Sequence, residues 1–276
     1  MSKIVIDSDK KKLGLNLKEL FQYKDLFITL AIRDLKVRYA QTILGFVWAF
    51  LQPLSSLIIF TFVFNRVANV NTGTEAPYSI FAMSGMIAWT YFAFVLNQSG
   101  SSIIGAQGMI KKIYFPRLII PLSKAVVGFV DFGIAFLLMM GLMLYFQYSP
   151  SSNIIYLPLF ILLTVITSLA VGIWVSVLSI RYRDFQHIVP FITQFGLYAT
   201  PIGYTANTAI QNLPEWLRIV YYLNPMAGVI DGFRWCILGT NPPTQYAYIS
   251  FAIVILIFIS GLFYFKKVEK IMADIV

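Results

Sequence analysis

Six long apolar runs, separated by short stretches that hold most of the Lys and Arg, limit this chain more than any other feature of its sequence. A bilayer core about 30 Å thick needs roughly 20 mostly apolar residues in one helix. By that criterion Thr42 to Phe64, Ser79 to Asn97, Leu118 to Phe146, Ile154 to Ile180, Ile188 to Ala206 and Tyr246 to Phe265 read as spans. Charged residues are 12% of the 276, about half the share of a soluble domain, so a charged shell around a water-soluble core is not available. The expected fold class is all-α: a polytopic membrane protein with six transmembrane helices in a single domain, 1–276. Within it, 1–41 is a cytoplasmic N-terminal segment, 42–265 the bundle and 266–276 a cytoplasmic tail.

Orientation follows from the basic residues, because cytoplasmic loops collect Lys and Arg. Nine precede the first span, Lys111, Lys112, Arg117 and Lys124 lie between the second and third, Arg181 and Arg183 follow the fourth, and Lys266, Lys267 and Lys270 follow the sixth. Only Arg66, Arg218 and Arg234 fall on the other side. Both termini are therefore expected in the cytoplasm. The polar, Lys-rich start lacks the apolar core and cleavage site of a secretory signal, so it is expected to be retained.

Several function classes are disfavoured. The net charge of +9 is interleaved with apolar runs rather than gathered on a soluble face, so no nucleic-acid partner is expected. One Cys, Cys236, and one His, His187, allow neither an intrachain disulfide nor a zinc set, and no catalytic or metal site is expected. The sequence has no Gly-Lys pair and hence no Walker A loop, so the chain is not expected to hydrolyse ATP by itself.

Two segments outside the spans carry structure of their own. Ile28, Ala31, Ile32, Leu35 and Tyr39 share a helical stripe with Arg33 and Lys36 roughly opposite, which predicts an amphipathic helix in the cytoplasmic interface. A plain basic flank is the alternative. Between the fifth and sixth spans, Pro214 to Leu223 and Pro225 to Leu238 are short helical patterns, each opened by Pro, and Gly239 stops the second. They predict an outer re-entrant helix pair, or else an outer-surface hairpin. Ile110-Lys111-Lys112-Ile113-Tyr114-Phe115-Pro116-Arg117 mixes cations with apolar and aromatic side chains and ends at Pro, a short turn offering knobs to a partner's pocket, or a charged loop anchoring two spans.

These segments resemble a family. Arg33-Asp34-Leu35-Lys36-Val37-Arg38-Tyr39, then Gln41-Thr42-Ile43-Leu44-Gly45, Trp48 and Leu51-Gln52-Pro53, followed by Ile113 to Arg117, Arg183-Asp184 and Asn224-Pro225, are similar to the permeases of ABC exporters for O-antigen and related polysaccharides. Teichoic-acid export permeases are close to the same pattern. The resemblance implies a half-transporter that pairs with itself and with two copies of a separate nucleotide-binding subunit. No cofactor is implied in this chain, ATP and Mg belonging to the partner. The expected ATPase-coupling residues are Ile110, Lys111, Lys112, Ile113, Tyr114, Phe115 and Arg117. Arg33, Arg38, Tyr39, Gln41 and Thr42 would form a cytoplasmic gate near substrate entry.

Such permeases line their channel with the first and fifth spans, and aromatic rings with scattered hydroxyls suit sugar faces and edges. Phe46, Phe50, Phe60 and Phe64 on the first span, with Pro53 and Leu57 in their stripe, and Phe191, Phe195 and Tyr198 on the fifth are the candidates, with ordinary helix packing as the alternative reading. Asp131, about ten residues into the third span, is an intramembrane carboxylate that needs a partner; Lys124 on the same face is expected to snorkel away. Asp231 and Arg234 read as a local ion pair. The expected function is export of a lipid-linked O-antigen or similar polysaccharide across a bacterial inner membrane. Teichoic-acid export, and an ATPase-independent transporter or scaffold, are the alternatives.

Overall fold

The computed structural model describes residues 17–39, 47–206, 210, 213–270 and 272. Among them there is no strand. Helices α1 (Leu17–Gln22) and α2 (Lys24–Tyr39) lead into α3 (Val47–Phe60), which continues as a π-helix (Thr61–Val67) closed by Ala68 N–H on the Val63 carbonyl at 2.9 Å. Then follow α4 (Tyr78–Gly105), α5 (Gln107–Ile110), α6 (Ile119–Tyr145), a 3₁₀ turn (Ser152–Tyr156) and α7 (Leu157–Arg181). The chain ends with α8 (Phe185–Ala199), α9 (Glu215–Tyr221), α10 (Pro225–Leu238) and α11 (Ala247–Glu269).

Five of the predicted spans are helices long and apolar enough to cross a membrane: Val47–Val67, α4, α6, Ser152–Arg181 and α11. The second reaches eight residues beyond its predicted end at Asn97, because the polar run Gln98 to Ser102 stays helical against α7. Helix α4 is the axis of the bundle, packed against α3, α6, α7, α8 and α10. Small residues let it approach its neighbours, as where Gly172 of α7 lies on Ser99.

The predicted fifth span is not one helix. Helix α8 stops at Ala199, and Thr200 is extended ahead of Pro201. Its course is nevertheless long. Val189 packs at Gly100, Thr193 takes the Asn97 amide at 3.1 Å, Gly196 packs on Trp89, Ile202 on Gly85, and the Gly203 carbonyl accepts from Tyr78 at 2.8 Å. The segment thus runs antiparallel to α4 from Gly100 to Tyr78, about 33 Å of helix. Extended backbone rises about twice as far per residue as helix, so the break gives a short segment that reach.

A return crossing at this place is also demanded by its neighbours. Helices α7 and α11 lie parallel: Phe160 meets Phe251 with ring centroids 6.4 Å apart, and Trp174 stacks on Tyr264 at 4.7 Å. Two parallel helices require the intervening chain to come back, and 185–206 is the segment that does so.

Helix α10 is built as its local sequence dictates. The Asn224 side chain accepts from Met226 N–H at 3.0 Å, Pro225 takes the first position, and Gly239 at φ +67° ends it. It is buried inside the end of the bundle opposite the termini, with Phe233 against Phe132 of α6 and Gly232 against Phe160 of α7. Helix α9 is unlike it, exposing Trp216, Ile219 and Val220. The predicted pair is therefore one internal helix and one surface helix.

Candidate functional site

At the end of the bundle where α1 and the last turn of α11 lie, three distant parts of the chain meet. Tyr23, in the turn between α1 and α2, donates to the Tyr114 carbonyl at 3.4 Å, and the Tyr114 hydroxyl donates to Glu19 of α1 at 3.3 Å. Arg117 gives its backbone N–H to the Glu269 carboxylate at 2.8 Å and its guanidinium to the Glu269 carbonyl, while Lys266 closes an ion pair with the same carboxylate at 3.1 Å.

Within Ile110 to Arg117 the side chains separate into two sets. Ile110 and Phe115 are buried in a cluster with Leu30, Ile103, Ile119, Ile180 and Phe265. Phe115 is only 3% exposed, so it and Ile110 are anchors rather than contact residues for a partner, and Arg117 is engaged with α11. Lys111, Lys112, Ile113 and Tyr114 stand outward, Tyr114 being 63% exposed. Four of the seven predicted coupling residues therefore form a cationic and aromatic knob on a rigid base.

The gate residues are held differently from expectation. The face of α2 turned to the bundle carries Phe27, Leu30, Ala31, Asp34 and Arg38, while Ile28 and Ile32 of the predicted apolar stripe are exposed. Asp34 takes Lys124 of α6 at 2.5 Å as well as its neighbour Arg33 at 2.8 Å. Burial by itself would raise the Asp34 carboxyl, but the hydrogen bonds from Lys124 and Arg33 outweigh it and hold the group below its ordinary 3.8. Lys124 thus pairs rather than snorkels.

One turn further on, Asp131 accepts from Arg38 at 2.6 Å and from the Tyr39 hydroxyl at 2.5 Å, and the Arg38 guanidinium lies 4.4 Å from the Phe94 ring of α4. Asp131 stands twelve residues after Ile119, about 18 Å along α6. The end of α2 is therefore fastened along α6 at the carboxylate that the third span would otherwise strand. Burial, then the Asp131 bond, push the Tyr39 phenol up to about 12. Gln41, Thr42 and Phe46 lie outside the described residues.

The two aromatic stripes also part company. Helix α3 packs through Ala49, Pro53, Leu57 and Phe60; Phe60 is 3% exposed, Phe64 lies half-buried on Gly203, and Phe50 faces outward. Phe60 is thus a core residue, stacked on Phe64 at 5.2 Å. On α8, Phe191, Phe195 and Tyr198 all stand outward, the first two rings 4.2 Å apart, and Tyr198 stacks on Phe60 at 6.0 Å.

A buried arginine, expected to pair with Asp231, holds the α8 break together. Arg234 donates to the Ile202 carbonyl at 2.7 Å and the Tyr204 carbonyl at 3.0 Å, with its guanidinium 3.7 Å from the Phe81 ring. Asp231 instead accepts from Tyr222 at 2.8 Å. The unwound end of α8 leaves carbonyls that must be satisfied, and a guanidinium meets two at once. An Arg on a short apolar helix just after a broken span was the available signal.

The family model described as ABC-2 type transporter matches residues 25–238. The chain is 30% identical over 267 residues to an O-antigen export system permease protein RfbA of Klebsiella pneumoniae, covering 96% of this chain and 98% of that one. It is 28% identical over 217 residues to the RfbA permease of Myxococcus xanthus, covering 79% and 82%. A polysialic acid transport protein KpsM of Escherichia coli is 20% identical over 210 residues, covering 76% and 80%.

Proposed function

From the premise that this chain belongs to the ABC-2 type transporter family, we propose that it is the membrane permease of an exporter for a lipid-linked O-antigen-like polysaccharide. Two copies pair in a bacterial inner membrane with their termini in the cytoplasm, and each carries one nucleotide-binding subunit on its terminal end. The observation that carries this reading is the outward knob of Lys111, Lys112, Ile113 and Tyr114, clamped from behind by α1, α2 and α11. A knob on so stiff a base passes a push from a partner subunit into α4, α6 and α11 together.

The polymer path in this reading is the outward aromatic face of α8, together with the exposed Phe50 of α3. Neither Val47–Phe60 nor Phe185–Ala199 contains a Lys or Arg, which suits an uncharged glycan better than a phosphate-bearing polymer. The test is reconstitution of the permease with its ATPase subunit in vesicles loaded with lipid-linked glycan. ATP-dependent appearance of glycan on the far side is the expected result. Translocation of a teichoic-acid polymer but not glycan would move the assignment to that class, and translocation without the ATPase would overturn it.

A further inference from the structure

The end of the bundle away from the termini contains a feature that no part of the transport reading uses. A cavity of about 730 Å³ opens between the 71–75 loop, the end of α10 and the 240–244 turn. That volume lies within the range of small-ligand sites. Its wall carries the amides of Asn71 and Asn241, the carboxylates of Glu75 and Asp231, several threonine hydroxyls and the ring of Tyr148.

Three of these groups are held in place. Gly73 at φ +64° lets the loop turn and gives its N–H to the Asn71 side-chain oxygen at 2.8 Å, which leaves the amide NH₂ of Asn71 as a donor. Tyr148 is fixed by its bond to the Leu238 carbonyl at 3.2 Å. Burial, then the Glu75 charge, raise its phenol above the ordinary 10, and both residues line the cavity. One oxygen of Asp231 takes Tyr222, and the residue lines the cavity wall.

Donor amides, acceptor carboxylates and a phenol face in one concave space match a sugar ring, which offers vicinal hydroxyls at its edge and C–H bonds on its face. The charge pattern narrows the ligand further. Arg234 is the one cation among the described residues of this wall; it is buried, with two of its nitrogens on backbone carbonyls, its face on the Phe81 ring and its Nε without a partner, while Glu75 and Asp231 supply two carboxylates. A phosphate or other anion entering it meets two carboxylates against a single buried guanidinium, so the wall is net negative among the described residues.

We propose that this cavity binds uncharged sugar residues of the exported glycan at the exit side of the permease. The proposal rests on the export reading above and deepens it by naming neutral over phosphorylated glycan. Oligosaccharides released by mild acid from the surface polysaccharide of the cells that carry the gene are the first probe, and a glycerol-phosphate tetramer the second. Binding to the reconstituted permease–ATPase complex is read by saturation-transfer NMR and calorimetry, and export is followed in the same vesicles. The expected result is saturable binding of the released oligosaccharide, at least tenfold weaker binding of glycerol-phosphate, and at least fivefold loss in both Asn241→Ala and Tyr148→Leu. Glu75→Gln, which keeps shape and removes charge, should narrow the gap between the two probes. Export without oligosaccharide binding, binding unchanged in Asn241→Ala and Tyr148→Leu, or glycerol-phosphate bound as tightly, overturns the site while the export function stands. Binding at the cavity in a complex that exports no glycan overturns the function instead.

Discussion

Arg38 and Asp131, 93 residues apart in the chain, meet at 2.6 Å and fasten the end of the N-terminal helix to the third hydrophobic helix of the bundle. Both are partly buried, and Tyr39 binds the same carboxylate, so neither charge is free to relax into water when its partner is lost.

Removing both members of this pair should therefore cost less than the two single losses added together. Asp131→Ala or Arg38→Met alone is expected to lose about 1–2 kcal/mol, between the exposed and fully buried limits. The double variant should lose less than the sum by at least about 0.5 kcal/mol, the usual margin of additivity. Denaturant unfolding in mild detergent measures the cycle, and strict additivity would show that the pair does not act as a unit.

The division of the 110–117 segment into anchors and knobs gives opposite phenotypes. Phe115→Ala should lower stability by about 3–5 kcal/mol, as for a core aromatic. Lys112→Ala and Tyr114→Ala should leave the melting temperature almost unchanged, yet reduce co-purification of the ATPase subunit and export at least fivefold. A Tyr114→Ala protein that exports normally removes the knob from the mechanism.

A similar contrast separates the two aromatic stripes. Phe60→Ala should destabilise the protein by about 3–5 kcal/mol. Phe191→Ala and Phe195→Ala should fold like the parent, their exposed rings contributing little to the monomer, but slow polymer export in vesicles. If all three behave alike, the stripe on α8 is packing and not a path.

Arg234→Lys is expected to be poorly tolerated. A Lys ammonium is a point charge that cannot hold the Ile202 and Tyr204 carbonyls and cover the Phe81 ring together, so the loss should be about 2–4 kcal/mol. Thermal unfolding of the purified variant measures it. An unchanged melting temperature would mean that the carbonyls at the α8 break find other partners.

Stability should also fall in acid through Asp34. Its carboxyl is held below its ordinary 3.8 in the folded protein, so its contribution is complete above that value and is lost as pH falls through the folded value. Unfolding curves taken between about pH 6 and about pH 3 should show a steeper decline for the parent than for Asp34→Asn. Parallel curves for the two proteins are the contrary outcome.

Much of this architecture was readable from local pattern. Apolar length marks spans because every backbone polar group in lipid must be satisfied within its own helix. Asn224, Pro225 and Gly239 mark the bounds of α10 because capping involves only residues next to the helix end. The family resemblance was legible for a similar reason, since its motifs are short runs such as Ile113 to Arg117.

The tertiary structure alone decided what each long-range polar group does and which aromatic faces are spent on packing. Asp131 was recognisable as needing a partner, but no spacing rule points ninety residues back to Arg38 and Tyr39. Phe60 and Phe195 carry the same ring, and only the approach of α4 and α8 buries one and leaves the other outside. The fifth hydrophobic run looked continuous because hydropathy records transfer to lipid. Whether its backbone stays helical depended on Arg234, which arrives from another helix to satisfy the carbonyls that the break exposes. Periodicity and capping are one-dimensional, whereas pairing a buried charge is settled by which elements the fold brings together.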